Sequence, residues 1–288
     1  MAVALSISGV DCYKIDTRND VDKTSIDTHS DVDNSPAPVL YYQFEEGTGT
    51  TVEDLSESDN DHDATFLTGA LLTWDTSAPA QGTASVLSDD TSHRADVADH
   101  ADLDFDYDDP FTFAFWQRCE IDDGASIYAT NWCKRYGSAG SPDQRYYRGL
   151  ILMAIAGKPY MYWSHNYSVN EPNPNTYIAA FHTVSLSDGN WHHIVWTHDG
   201  TGGGTTGANN TGIGIFVDGA VVYKQVTDTM GSNSPTTSGL DPRICNSEHN
   251  HHICDGLDEL AIWRVALTPD QVETLYNSGA TADCRRGM

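Results

Sequence analysis

Residues 212–224, GIGIFVDGAVVYK, constrain the fold more than any other stretch of the chain. Ile213, Ile215 and Val217 alternate, and Asp218-Gly219 supplies the two positive φ angles of a type I′ turn, so residues 220–223 return as a second strand. Just upstream, residues 191–197 read as a strand with Ile194 and Trp196 on one face and Trp191 and Val195 on the other. A strand apolar on both faces belongs inside a two-layer β structure. The hairpin needs a facing sheet, so the remaining sequence must supply further strands.

It does so at short intervals. Residues 39–58 read as strand, glycine-rich turn and short strand, and residues 62–74 as one or two more. Phe111, Phe113 and Phe115 alternate with Thr112, Ala114 and Trp116, the pattern of a fully buried strand. Residues 126–132, 149–155 and 159–164 add further strands. Two long loops lie among them, residues 133–148 and 166–175, and a third, residues 200–212 (GTGGGTTGANNTG), is expected to be flexible. Residues 256–264 form a late strand, with Leu257, Ala261 and Trp263 set against Leu260 and Ile262. It leads into one helix: Thr268 is the N-cap, Pro269 opens the first turn, Gln271 completes a capping box, and Val272, Leu275 and Tyr276 form the apolar stripe ended by Gly279. Many strands with a single late helix mean an all-β sandwich or jelly roll.

At 288 residues the chain is long enough for one large β domain. Residues 39–281 make up that domain. Residues 1–38 are a polar, acidic N-terminal segment ending in Pro36 and Pro38, an extended arm or a linker, and residues 282–288 are a tail. The formal charge is −27, from 42 acids, 33 of them Asp, against 15 Lys and Arg, of which five are Lys. Such a surface repels nucleic acid and anionic membranes. Three readings of the charge stand side by side: solubility, life in concentrated salt where a Debye length of about 3 Å near 1 M screens self-repulsion, and calcium binding by Asp-rich loops. The start, MAVALSISGV, lacks the basic region of a signal peptide, and no run is long enough to span a bilayer. An exterior protein with such a start is read either as lacking its leader or as leaving the cell within a particle such as a virion.

Six cysteines without CxxC pairs argue for disulfides and an oxidising exterior, with buried thiols as the alternative. Cys245 with Cys254 would close a short loop, Cys119 with Cys133 would staple adjacent strands, and Cys12 with Cys284 would tie the ends.

Taken in order, PVLYYQFEEGTGTTVEDLS, RADVADHADLDF with PFTFAFWQR, SLSDGNWHHIVWTHDGT, IGIFVDGAVV and LDELAIWRVALTPDQVETLYNSG resemble the laminin-G-like group of the concanavalin A-like lectin/glucanase superfamily, over about residues 38–280. The resemblance implies two curved antiparallel sheets in a jelly roll with the termini close together. It also implies one calcium ion at the sandwich rim. Asp54, Asp59, Asp61 and Asp63 crowd the early loop, and Asp255 and Asp258 flank the late strand. The group's early loop is glycine-rich, whereas DLSESDNDHDA has acids and no glycine. His192 and His193 match the WHH or WHR of the group, where they are strand residues without a ligand role.

The superfamily contains lectins, adhesion domains and glycosidases, so function rests on sites. One glucanase branch carries Glu-x-Asp-x-Glu on a strand. Glu120 and Asp122 fit its first two positions, but Gly124 stands where the acid/base Glu belongs, and without a proton donor the leaving group is not activated. No nucleophile elbow occurs either, so the chain reads as non-enzymatic. His249, His251 and His252 form a polar loop tip, with a transition-metal site as the alternative. Sugar recognition needs aromatic faces beside hydrogen-bonding groups. Tyr136, Arg145, Tyr146, Tyr147 and Arg148 in the first long loop, with Asn166, Tyr167 and Asn173 in the second, supply both. The same residues suit adaptable protein contacts or packing under their own loops. The expected function is extracellular or virion-surface recognition of a glycan or glycoprotein, with Ca²⁺ as the cofactor. The alternatives are a structural virion component, contacting other subunits through residues 1–38, and a glycoside hydrolase.

Overall fold

A computed structural model describes residues 36–56, 58–67, 72–87, 93–119, 128–136, 147–167, 175–237, 239–245 and 256–278. Its strands are β1 (Leu40–Tyr42), β2 (Thr51–Val52), β3 (Ala64–Phe66), β4 (Thr73–Asp75), β5 (Ser85–Leu87), β6 (Ala95–Val97), β7 (Phe111–Arg118), β8 (Tyr128–Tyr136) and β9 (Tyr147–Ile155). They continue with β10 (Lys158–Tyr167), β11 (Thr176–His182), β12 (Trp191–His198), β13 (Ile213–Val217), β14 (Ala220–Val221), β15 (Lys224–Asp228), β16 (Arg243–Ile244) and β17 (Gly256–Trp263). The helix α1 (Pro269–Ser278) follows. One sheet runs β14-β13-β12-β7-β17-β5-β4, with β1 also on β17. The other runs β15-β11-β10-β9-β8-β16-β6-β3-β2. Every strand pair is antiparallel.

Period-2 alternation assigns the faces. Phe111, Phe113 and Phe115 of β7, Ile194 and Trp196 of β12, and Ile213 and Ile215 of β13 point into the space between the sheets. There they meet Trp132, Leu150, Leu152, Met161, Trp163, Ile178 and Ala180 from the second sheet. The opposite face of the first sheet is apolar too, but a helix covers it: Ala114, Val195, Phe216, Ala261 and Trp263 pack with Leu267, Val272 and Leu275. The capping box forms as the sequence predicts, with the Thr268 amide donating to Gln271 Oε1 (2.9 Å) and the Gln271 amide to Thr268 Oγ1 (3.3 Å).

β17 departs from its simple alternation. Leu257 lies between the sheets with Leu260 and Ile262, not with Ala261 and Trp263. The register against β7 shifts between Asp258 and Ala261, and Glu259 sits there at φ 52°. An extra residue in one strand flips the parity of everything before it. The return strand of the hairpin is also shorter than its four-residue expectation, because the chain leaves β14 and crosses to the second sheet at Lys224.

The hairpin turn itself is as predicted, with Asp218 at φ 51° and Gly219 at φ 79°. Asp218 Oδ1 accepts from the His193 amide (3.0 Å), and Oδ2 lies 2.9 Å from His192 Nδ1. That bond to Asp218, helped by Asp188, raises the His192 pKa above its ordinary value. A raised folded-state pKa gives stability that is complete below the unfolded value of about 6.5 and is lost as pH climbs through the folded one. His192→Gln should therefore lower stability by about 1 kcal/mol near pH 5.5 and leave it unchanged near pH 8.5, as urea melts at the two pH values will show.

The cysteine expectations need correction. Cys133 and Cys245 are thiols. Cys119 is disulfide-bonded, and its partner is outside the described residues, as are Cys12, Cys254 and Cys284. Geometry explains the mismatch. Cys119 packs with Ala129 and Ala154, whereas Cys133 packs with Ile151 and Met153 on the other side of the second sheet. Cys245 is fully buried in the core, where burial pushes its thiol pKa well up. The glycine-rich loop of residues 200–212 is likewise not a loose linker. Asp199 accepts from the Thr201 and Gly212 amides, Asp228 accepts from the Gly203 amide, and Lys224 reaches in from β15.

Candidate functional site

The outer face of the second sheet carries a row of aromatic rings. In β10 the alternation that buries Met161 and Trp163 turns Tyr160 and Tyr162 outward, and in β11 it does the same for Tyr177 and Phe181. Register places Tyr160 opposite Phe181 and Tyr162 opposite Ala179. The rings of Tyr160 and Phe181 stack at 5.1 Å and 6°, Tyr160 and Tyr162 at 5.4 Å and 17°, and Tyr162 and Tyr177 at 5.3 Å and 28°. All four are half-buried, and Tyr160 and Tyr162 pack against the cluster of Cys133, Ile151 and Met153. Near-parallel half-buried rings form a shelf of the kind that takes the apolar face of a pyranose or a partner's side chain.

Polar groups lie at the strand ends beyond this row, Arg135 and Tyr147 on its face and Arg148 on the opposite face by alternation. The Arg135 guanidinium lies 4.3 Å over the Tyr147 ring. Arg148 Nη2 is 2.7 Å from His165 Nδ1, and that nitrogen also contacts the Ser234 carbonyl at 2.5 Å. The Ser164 hydroxyl donates to the Tyr147 carbonyl (3.1 Å). Of the residues singled out in the sequence, Tyr136 pairs with Arg148, Tyr167 with Tyr147, and Asn166 with Thr176 in the strand register; Tyr147 shares the face of the aromatic row, and Arg148 and Tyr136 share the other. They sit on strands, not in the long loops, because β8 runs on to Tyr136 and β9 begins at Tyr147. Arg145, Tyr146 and Asn173 lie outside the described residues. So do Glu120, Asp122 and the loop-tip histidines His249, His251 and His252. Sequence reasoning missed Tyr160, Tyr162, Tyr177 and Phe181. Their every-second-residue spacing was the available signal.

Several acidic residues of the calcium expectation accept bonds from backbone amides. Asp54 accepts from the Tyr41 and Ser56 amides (both 2.9 Å) and the His62 amide (3.3 Å). Asp63 accepts from the Asp54 amide, and Asp61 from the Asp63 amide. Asp59 and Asp61 face solvent, and Asp255 is outside the described residues. Asp258 is fully buried on β17, accepting from the Ala80 (2.9 Å) and Gln81 (3.0 Å) amides. Calcium takes six to eight oxygens. Among the described residues, the ligand-bearing side chains grouped within 4.8 Å are His62, His100 and Asp102, while Asp54, Asp61 and Asp63 follow one another along the early loop.

A family model described as the concanavalin A-like lectin/glucanases superfamily matches residues 89–273, well over half of the chain. The chain belongs to that superfamily. Among curated proteins none matches in sequence. Solved structures share the fold of this laminin-G-like jelly roll. The binding domain of Paraclostridial Mosquitocidal Protein 1 aligns with a TM-score of 0.59 at 14% identity, over 84% of this chain and 52% of that one. The botulinum neurotoxin serotype D ligand binding domain, solved with N-acetylneuraminic acid, aligns at 0.56 and 12%, over 84% and 50%. The binding domain of botulinum neurotoxin DC, solved with rat synaptotagmin II, aligns at 0.54 and 11%, over 84% and 51%. The chain thus spans about half the length of the solved domains it resembles, and these neighbours are binding domains. Among the described residues no helix is long and apolar enough to cross a membrane.

Proposed function

We propose that this laminin-G-like domain is a non-enzymatic recognition module that binds a glycan or glycoprotein outside the cell through the outer face of its second sheet. The observation that carries this reading is the stacked row Tyr160, Tyr162, Tyr177 and Phe181, with Arg135 over the Tyr147 ring farther along the same face. Rings supply area at low entropy cost, and a guanidinium on the same face supplies directional bonds to hydroxyls or a carboxylate. That fold neighbours were solved with N-acetylneuraminic acid and with rat synaptotagmin II agrees with this reading. A glycosidase is the lesser reading because Gly124 stands where the acid/base Glu of the glucanase strand belongs.

A glycan array probed with wild type and with Tyr160→Ala/Tyr162→Ala tests the proposal. Binding should fall about tenfold or more in the variant, since each stacked ring contributes roughly 0.5–1.5 kcal/mol. Absence of binding by wild type, or equal binding by both, overturns it. An EDTA arm tests calcium: loss of binding restored by Ca²⁺ but not Zn²⁺ assigns that ion to the site. The competing reading, a structural subunit of a virion or surface assembly, draws on the −27 charge and on the Trp263 indole, which holds the Pro36 carbonyl (2.9 Å) where the N-terminal segment meets the sandwich. Loss of assembly on deleting residues 1–37 would favour it.

A further inference from the structure

β3 and β6 pair antiparallel with Ala64 opposite Val97. This register brings the residues just before β3 beside those just after β6. His62 comes from one side, and His100 and Asp102 from the other, with one ligand atom of each within 4.8 Å of the other two. His62 is 2% exposed, and its Nε2 is buried without a hydrogen bond. The Asp102 carboxylate lies 3.5 Å from it. His100 Nδ1 lies 3.2 Å from the same carboxylate oxygen. A tetrahedral zinc ion with bonds of about 2.0–2.1 Å has ligand–ligand edges of about 3.3–3.4 Å. The two measured separations bracket that value.

The surrounding groups hold these three side chains in place. His62 is fixed on both sides of its backbone: its amide donates to Asp54 Oδ2, and its carbonyl accepts the Tyr42 hydroxyl. Asn60 Nδ2 donates to Asp102 Oδ2 (2.7 Å), orienting the carboxylate. The turn carrying His100 and Asp102 is anchored from below. Arg264 donates to the carbonyls of Ala101, Asp102 and Asp104, and the buried Lys134 ammonium bridges Asp99 (2.6 Å) and Asp104 (2.7 Å). Such outer partners fix ligand geometry in metal sites. An ion taking His100 Nδ1 would displace its 3.2 Å bond from the Asp102 amide.

We infer that His62, His100 and Asp102 form a binding site for a divalent transition metal, Zn²⁺ foremost, with a fourth position open to solvent on the half-exposed side of His100. Two imidazoles and one carboxylate are a donor set for a borderline metal, not for calcium. The site clips the acidic loop that precedes β3 to the turn that follows β6.

The test uses the full chain stripped with chelator and titrated with Zn²⁺ by calorimetry, then with Co²⁺ followed by visible absorption. Wild type should bind Zn²⁺ with a Kd below about 1 µM and give the intense bands of four-coordinate Co²⁺. Millimolar Ca²⁺ should not compete. His62→Gln removes the buried ligand. Asp102→Asn and His100→Gln alter partly exposed residues, so they keep the test decisive if the first variant fails to fold. Each should lower affinity at least tenfold and abolish the zinc-induced rise in Tm. A His249→Ala/His251→Ala/His252→Ala variant should bind as wild type does. The inference is overturned if wild type shows no saturable binding. It is equally overturned if Asp102→Asn and His100→Gln bind normally, or if binding vanishes in the triple histidine variant.

Discussion

Lys224→Met is expected to cost about 3 kcal/mol and to release the glycine-rich loop of residues 200–212. Lys224 is fully buried where the chain crosses from one sheet to the other. Its ammonium donates to the Asn209 carbonyl (3.1 Å), Asn209 Oδ1 (3.2 Å), the Thr211 carbonyl (3.0 Å) and the Ile213 carbonyl. The loop has almost no ladder of its own to satisfy these oxygens. One cation does so from the centre, in the way a bound metal would. Methionine keeps the stem's packing but removes every donor. Each buried acceptor left unpaired costs about 1–3 kcal/mol before relaxation, so about 3 kcal/mol is a conservative sum. For a domain of this size the loss corresponds to about 6–12 °C in Tm. The amides of Gly203 and Gly212, held by Asp228 and Asp199, should exchange faster with solvent in the variant. A variant within about 1 kcal/mol of wild type, with those amides still protected, would mean that the aspartates alone hold the loop.

The contrast between this loop and the hairpin beside it shows what the sequence makes legible. Asp218-Gly219, the Phe111–Phe113–Phe115 alternation and the Thr268–Gln271 box are local: turn chemistry, period and capping are each complete within a few residues. They place the two sheets and the helix. Lys224 gives no local sign, because a lysine at a strand start is ordinarily solvated and its acceptors lie 11 to 15 residues away in sequence. The bulge at Asp258–Glu259 is hidden for a related reason. An extra residue in a strand shows only against its partner strand, so the alternation read Leu257 on the wrong face. Cysteine partners depend on which side of which sheet each thiol occupies, as Cys119 and Cys133 demonstrate. The proposed recognition face is half legible: Tyr147 stands out as an aromatic residue beside a long loop, while Tyr160 and Tyr162 read as part of a strand with no sign of what their outward face does. His62, His100 and Asp102 meet only through the pairing of β3 with β6.

The largest pH effect should come from the β17 bulge. Burial drives the Asp258 carboxyl pKa up to about 9, reinforced by the charges of Glu259 and Glu45 and opposed by the Gln81 and Ala80 amides. The folded-state value lies above the unfolded value of about 3.9, so the fold keeps a proton that the unfolded chain gives up. Stability contributed by Asp258 is therefore greatest at acid pH and falls as pH rises through the interval between the two values, by about 1.4 kcal/mol per pH unit. Asp258→Asn removes that titration. At pH 5 the variant should be less stable than wild type, because the Glu259 amide, which donates to Asp258 Oδ1 at 3.0 Å, would then face an amide donor. By pH 8 the difference should have moved in the variant's favour by up to about 4 kcal/mol. Urea melts of both proteins at the two pH values give the number directly, and the subtraction cancels the titration of the other acids. If the two stability curves run parallel, Asp258 is ionised throughout, and the three amides around it outweigh desolvation and the two neighbouring carboxylates.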